Sequence, residues 1–382
     1  MTVISSTSAT LTPQGYKRTP TIPDVGELRR EAGGWRVGEQ TLADPLGPDD
    51  IARLRAWRGL RVRWPYKEGR QEAMGLITAL AAAGVPLTAE AVPPWAERAD
   101  PGLADLLRSW PEPTPARGEV VPEEPGAERS TADLRREEHS VRLRRHAWRS
   151  HVADAPVTVI MASRRPHYVR GALAQIARQR NVELQLVLAL HGFTADLVRP
   201  AIQEFPHPIT VLEADASTVF GDVLAQAAAH ADADLIAKWD DDDWYGPEHL
   251  ADLLMTRLYS GADVVGTAAE FFYLAPLDVT VRRTDYSSEV WSDHVAGGTI
   301  LIGRSTLAEA GGFQPLPKGV DSALLKAVHA GGGRIYRTHG LGYMLRRSGA
   351  DEHTWRLPLA HFLRVAANQW RGFRPSRIME AV

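Results

Sequence analysis

The 382-residue chain contains no cysteine. Disulfides, thiolate metal sites and cysteine nucleophiles are therefore excluded, and the redox compartment is left open. A basic excess is also missing: 44 Lys and Arg stand against 47 Asp and Glu, for a formal net charge of -3. That balance argues against a protein that mainly grips nucleic acid. No apolar run is long enough to span a bilayer. The longest, Met74–Leu87 (MGLITALAAAGVPL), is broken by Gly84 and Pro86 and reads as a buried helix. The opening residues, MTVISSTSATLTPQGYKRTP, are rich in Ser and Thr and lack the apolar core of a secretory signal, so a frayed start is expected. The expected location is cytoplasmic, with peripheral contact at the inner face of a membrane left open.

What is present is ordinary globular composition, 44% hydrophobic and 24% charged, which excludes a disordered, collagen-like or coiled-coil chain. The length predicts about two to three domains. Residues 1–110 read as a mainly helical module punctuated by Trp, of unknown role. Helices are expected from Asp50 through Ile51, Leu54 and Trp57, over Glu68–Ala83 with Gly84 as its stop, and from about Asp100 to Leu107 behind Pro101. Residues 111–129 carry five prolines in PEPTPARGEVVPEEPG and read as a linker. Ser130 and Asp133 resemble a capping box that opens an Arg-rich connecting helix over 130–150. The plain expectation for its arginines is a solvated, salt-bridged face, with Leu134, Val141 and Trp148 packed inward; docking to an anionic surface is the alternative.

From residue 151 to 382 the pattern changes. Short apolar runs at Val157–Met161, Leu184–Leu190, Ile209–Leu212 and Asp234–Trp239 alternate with helical stretches near Arg170–Gln179 and Val223–Ala231. Near-continuous apolar strands separated by helices predict an α/β fold with a buried, mostly parallel sheet flanked by helices. Ligands on such sheets bind beyond the carboxyl ends of the strands.

One strand, DLIAKW, runs directly into Asp240, Asp241, Asp242 and Asp243. Adjacent like charges repel by about 1 kcal/mol in water and about 4 kcal/mol at an effective dielectric of 20. In an extended segment Asp240 and Asp242 face one side, Asp241 and Asp243 the other. An alternate pair can hold one hard cation through oxygen ligands and leave positions for phosphate oxygens. The competing reading is a solvated acidic turn, with Asp243 capping a helix that starts near Pro247.

Several segments in order resemble family 2 glycosyltransferases of the GT-A (Rossmann-like) fold, over about residues 157–355. VTVIMASRRP is similar to that family's first strand and nucleotide-contacting turn, and IAKWDDDDWYGP to its DxD-type motif with an aromatic–proline tail. GGTILIGRSTLAEAGGF is similar to its acceptor-side segment, and GVDSALLKAVHAGGGRIYRT to the segment with its Glu–Asp pair.

The resemblance implies a metal-dependent, inverting transfer of a sugar from a nucleotide-diphosphate donor to an acceptor hydroxyl. It implies Asp321 as the catalytic base. It places Ala162, Ser163, Arg165, Asp240, Asp241 and Asp242 at the donor, with Arg164 nearby. Asp242, His353 and Asp240 would bind a divalent cation, manganese favoured over magnesium because of the His ligand. Gly297, Gly298, Thr299 and Trp355 would face the acceptor. His339 is the rival metal ligand, and Asp293–His294 and Arg346–Arg347 are further candidates for the acceptor and the diphosphate.

Two departures stand out. Leu190-His191-Gly192 replaces the usual Asp-Asp-Gly, so the uracil-reading acid is missing and the donor base is open. Val320-Asp321 keeps the second acid of the pair and loses the first. The acceptor is expected to be a glycan, a lipid-linked glycan or a natural product, with no nucleic-acid partner and self-association left open. A sugar nucleotidylyltransferase is disfavoured, since MASRRP has no glycine for a phosphate loop. A non-catalytic adaptor or sensor that binds sugar nucleotides is the alternative function.

Overall fold

The computed structural model describes residues 11–65, 69–110, 131–152, 155–348 and 357–379. The chain forms two compact units, 1–151 and 152–382. The proposed linker at 111–129 lies outside the described residues.

The first unit is built on a five-stranded sheet that the sequence did not announce. Its strands are β1 (Ile22–Glu31), β2 (Gly34–Val37), β3 (Gln40–Thr41), β4 (Trp57–Val62) and β5 (Leu87–Thr88), in the order β3-β2-β1-β4-β5. Around it stand α1 (Pro48–Arg55), α2 (Arg70–Ala82), α3 (Pro94–Ala99), α4 (Pro101–Arg108) and α5 (Thr131–Val152). Trp57, expected on the first helix, begins β4 instead. The Asp100 carboxylate does cap α4, accepting from the Leu103 N–H at 2.9 Å.

In the Arg-rich helix α5, Leu134, Val141 and Trp148 pack inward as expected, but the arginines do not form a solvated face: Arg135, Arg136 and Arg144 are buried and only Arg149 is exposed. Arg136 and Arg144 are fully buried. Arg136 donates to the carbonyls of Lys17, Arg18, Arg55, Arg58 and Trp57 and to the Tyr16 hydroxyl. Ser140 donates to the Gly84 carbonyl at 2.7 Å, and Trp148 to that of Ala82 at 3.2 Å. The helix is a polar spine that satisfies main-chain carbonyls of the segments and element ends around it.

His139, also buried on α5, donates from Nε2 to the Leu87 carbonyl at 2.7 Å. Burial holds its imidazole down at about 4, against an ordinary value near 6.5. The unfolded chain therefore binds a proton that the folded one refuses. The stability this group contributes is intact above about pH 6.5 and is lost as pH falls towards 4, by roughly 3 kcal/mol at most. Urea midpoints of the first unit should drop over that window, and His139→Gln should flatten the drop.

The second unit carries the alternation expected. Its elements are β6 (Pro156–Ser163), α6 (Pro166–Ala177), β7 (Glu183–His191), α7 (Arg199–Gln203), β8 (Ile209–Ala214), α8 (Phe220–Ala229) and β9 (Leu235–Trp239). There follow β10 (Trp244–Tyr245), α9 (His249–Ser260), β11 (Val264–Thr267), β12 (Phe271–Leu274), β13 (Val279–Arg282) and β14 (Val290–Trp291). The last are β15 (Leu301–Gly303), α10 (Arg304–Glu309), α11 (Val320–Ala330), β16 (Ile335–Thr338), β17 (Tyr343–Arg347), α12 (Leu359–Val365) and β18 (Asn368–Arg371).

Eight strands form the main sheet in the order β14-β16-β11-β15-β9-β6-β7-β8. The run β9-β6-β7-β8 is parallel throughout, while β15 is antiparallel to β9 with Leu301 opposite Ala237. Ile160, Val187, Ile236, Ile302, Leu324 and Val328 belong to the core between sheet and helices. A second sheet, β10-β17-β12-β13-β18, pairs Tyr245 with Tyr343. Among the described residues no helix is long and apolar enough to cross a membrane.

Candidate functional site

Three parallel strands, β9, β6 and β7, end on one side of the main sheet, where β15 begins. The acidic run leaves β9 there, and the turn Gly297–Thr299 precedes β15 on the same side. Topology alone thus brings the acids, the Ser163–Arg165 segment and the double glycine to one place.

The four carboxylates alternate in exposure. The side chains of Asp240 and Asp242 are 32% and 13% exposed, that of Asp241 only 3%, and Asp243 is buried. Each is held. Asp241 accepts from Ser163 and from Arg165. Asp242 accepts from Arg165 at 2.9 Å. Asp243 accepts from the Tyr343 hydroxyl and from the Arg346 N–H at 3.1 Å. Burial pushes the Asp241 carboxyl up, partly countered by Arg165; burial and the charges of Asp242 and Asp240 push Asp243 up further. The helix after the cluster starts at His249 behind Glu248, so Asp243 is not its cap. Its task is to tie the acidic turn to β17.

Asp240 is held at two points. Its N–H donates to the Tyr245 hydroxyl at 3.0 Å, and that hydroxyl donates to the Gly298 carbonyl at 2.9 Å. Its Oδ1 accepts from Lys238 Nζ at 2.6 Å. The same ammonium lies 3.3 Å from Oδ2 of Asp321, in the first turn of α11. Lys238 is 2% exposed and Asp321 29%. Burial alone would pull the Lys238 ammonium down; the two carboxylates outweigh it and hold it above its ordinary range. Burial pushes the Asp321 carboxyl up, against the pull of Lys238.

Sequence reasoning missed Lys238. A signal existed: a lone charge within the apolar strand LIAKW, two residues before Asp240 and hence on the same face. Tyr245 was also missed as the link between Asp240 and the double glycine.

The glycines are needed for contact rather than for backbone conformation. A Cβ on Gly298 would stand 2.7 Å from Asp240 Oδ2, and one on Gly297 would stand 2.8 Å from Asp321 Cγ. Gly297→Ala should therefore push Asp321 off Lys238 and cost about 1–3 kcal/mol through overpacking. Urea unfolding of the second unit would measure it; an unchanged midpoint would refute the close packing. Thr299 is buried and its hydroxyl donates to Ala296, so it serves the turn itself.

The remaining candidates separate. Ala162 is half-buried against the core. The Arg164 guanidinium lies 3.0 and 2.8 Å from the two ring nitrogens of the buried His191, one of which accepts from it, and it donates to the Ala216 carbonyl, so the pair sits in the turn after β7. Trp239, at the end of β9 beside the acidic run, is buried and stacked on Tyr245 at 3.7 Å, so it packs in the core. His339 is buried and lies 3.5 Å from Asp252 on α9, so it faces that acid rather than the acidic run. Arg165 lies over the Tyr168 ring at 4.9 Å, with Arg346 6.0 Å from that ring, while Arg347 lies over Phe362. His294 is near enough to Asp321 to lower its carboxyl slightly. His353 and Trp355 lie outside the described residues.

The outward carboxylates Asp240 and Asp242 are hard oxygen donors of the kind a divalent cation takes. They fit as part of such a site, one that would share Asp242 with Arg165 and Asp240 with Lys238. Among the described residues no group of three His, Asp or Glu side chains assembles a metal site by itself.

No family model matches the sequence, and no curated protein matches it. Solved structures do resemble it in part. The mannosyltransferase PcManGT from Pyrobaculum calidifontis, in complex with GDP-Man and Mn2+, is 17% identical with a TM-score of 0.43, over 55% of this chain and 62% of that one. S. aureus TarS 1-349 in complex with UDP-GlcNAc is 14% identical with a TM-score of 0.43, over 55% of this chain and 64% of that one. The chain thus spans less than two thirds of the length of either structure. At these scores the likeness says nothing of what this chain binds.

Proposed function

We propose that the second unit is a glycosyltransferase that moves a sugar, with inversion, from a nucleoside-diphosphate donor to an acceptor hydroxyl, with Asp321 as general base. One observation carries the reading: at the carboxyl end of a parallel sheet, a buried ammonium draws together an acid at the end of β9 and an acid opening α11. The motif resemblance over the same segments supports it.

In this reading the acceptor oxygen attacks the anomeric carbon as its proton passes to the Asp321 carboxylate. The bond from that carbon to the diphosphate oxygen breaks, and its electron pair leaves with the nucleoside diphosphate. General-base assistance of this kind is worth about 10²–10⁴ in rate. Asp240 holds the donor beside the double glycine. Arg165, on the turn after β6 and paired with Asp242, offers a guanidinium to the diphosphate, and Arg346 reaches the same Tyr168 ring. Asp242 and Asp240, with His353, would hold a divalent cation, manganese before magnesium, which when bound supplies Lewis-acid relief of the charge on the leaving diphosphate.

A thermal-shift panel of UDP, GDP, ADP, CDP and dTDP, each with and without manganese, tests the donor half. A nucleotide at about 100 times its dissociation constant should stabilise the fold by roughly 2.7 kcal/mol. Stabilisation by one nucleotide above the rest names the base. No response to any of them removes the proposal.

A further inference from the structure

We infer that Lys238 is a positioning residue that sets the base and the donor carboxylate relative to each other, so that the two halves of the reaction are tuned by one buried side chain. The inference deepens the proposed function and rests on it.

The argument is geometric. Lys238 sits inside β9, with its N–H bonded to the Ile300 carbonyl at 2.8 Å and its side chain almost without exposure. A buried ammonium is costly unless paired. Here it has two partners on separate elements, Asp240 Oδ1 at 2.6 Å and Asp321 Oδ2 at 3.3 Å. The backbone of Gly297 and Gly298 closes over both carboxylates, with no room for a side chain at either residue. The carboxylates are therefore held by an ammonium and packed close under a bare backbone turn. Neither aspartate has a second cation of this chain within ion-pair distance among the described residues. Without Lys238 two acids would face each other beneath the glycine turn with nothing to draw them together, and they would be driven apart. An enzyme that must keep a base and a donor-holding acid close together needs a cation between them that does not leave with product.

The test is a double-mutant cycle read as a split between kcat and KM. The probes are UDP-glucose, UDP-GlcNAc and GDP-mannose, using whichever nucleotide gives the largest thermal shift, with release of nucleoside diphosphate as the signal. Lys238→Met should cut kcat about 100-fold, at the lower end of what a general base supplies. It should also raise the donor KM several-fold through Asp240. In an Asp321→Asn background the kcat penalty of Lys238→Met should shrink to within a factor of two while the KM rise persists, because the kcat effect acts through Asp321 alone. A merely structural lysine would give the same kcat penalty in both backgrounds, and that result, or an unmoved KM in both, overturns the inference. Should Lys238→Met not fold, Lys238→Arg is read in the same two backgrounds by the same criteria. Normal turnover in Asp321→Asn alone instead removes Asp321 as the base and leaves the donor-binding half to the nucleotide panel.

Discussion

Asp321→Asn should abolish sugar transfer while leaving nucleotide binding intact. The amide has nearly the volume of the carboxylate and keeps an oxygen towards Lys238, so the clamp under Gly297 need not move. What it loses is the capacity to take a proton. The expected fall in kcat is about 10²–10⁴-fold, with nucleoside-diphosphate affinity within about twofold of the parent. The pH dependence gives a second reading. Burial pushes the Asp321 carboxyl up and Lys238 pulls it back only in part, so the base loses its proton later than an ordinary aspartate. Only the ionised form accepts a proton, so kcat should rise with pH through that titration and level off above it. The rising limb should be absent from the residual rate of Asp321→Asn. Turnover at the parent rate would dismiss Asp321; nucleotide binding without turnover in the parent itself would favour the adaptor reading instead.

How much of this was legible from the residues differs between the two units. In the second, near-continuous apolar strands bounded by turns left little choice, and β6, β7, β8 and β9 fall within two residues of where periodicity puts them. The alternate facing of the acids also followed from backbone geometry. The partners of those acids did not follow. Asp241 meets Ser163 and Arg165 across 76 or more residues, and Asp243 meets Tyr343 across 100. Nothing local encodes such a pairing, which is set when β6, β9 and β17 take their places. The first unit was harder still. β1 reads IPDVGELRRE, in which Leu28 is the one apolar side chain fully buried, and β3 and β5 have two residues each. Strands so short or so charged carry no period to detect. Its helices could be read because Pro101 and Gly84 mark their ends; the sheet they cover could not.

The arginines of α5 show the same limit from the other side, and they yield the largest expected effect on stability. Charge runs on helices are usually solvated, yet Arg136 has no exposure. Its guanidinium has five N–H donors, and they are spread over six acceptors, the shortest at 2.7 Å. Five of those acceptors are main-chain carbonyls, from two segments, 17–18 and 55–58, that flank the start of β1 and the start of β4. The Tyr16 ring adds its face, 5.2 Å from the guanidinium carbon. One cation thereby ties the segment before β1 to the end of α1 and the start of β4. Arg136→Met keeps most of the volume and removes every donor. The cost is then the desolvation of the abandoned carbonyls together with the charge-assisted bonds themselves, about 3–5 kcal/mol, as when a buried charge loses its partners. Arg136→Lys should recover only a minor part, since a single ammonium has three donors and cannot reach both segments. Urea unfolding followed by amide exchange in the first unit would register this as loss of protection across β1 and β4 together. If Arg136→Met left both strands protected to the parental level, the guanidinium would not be what joins them.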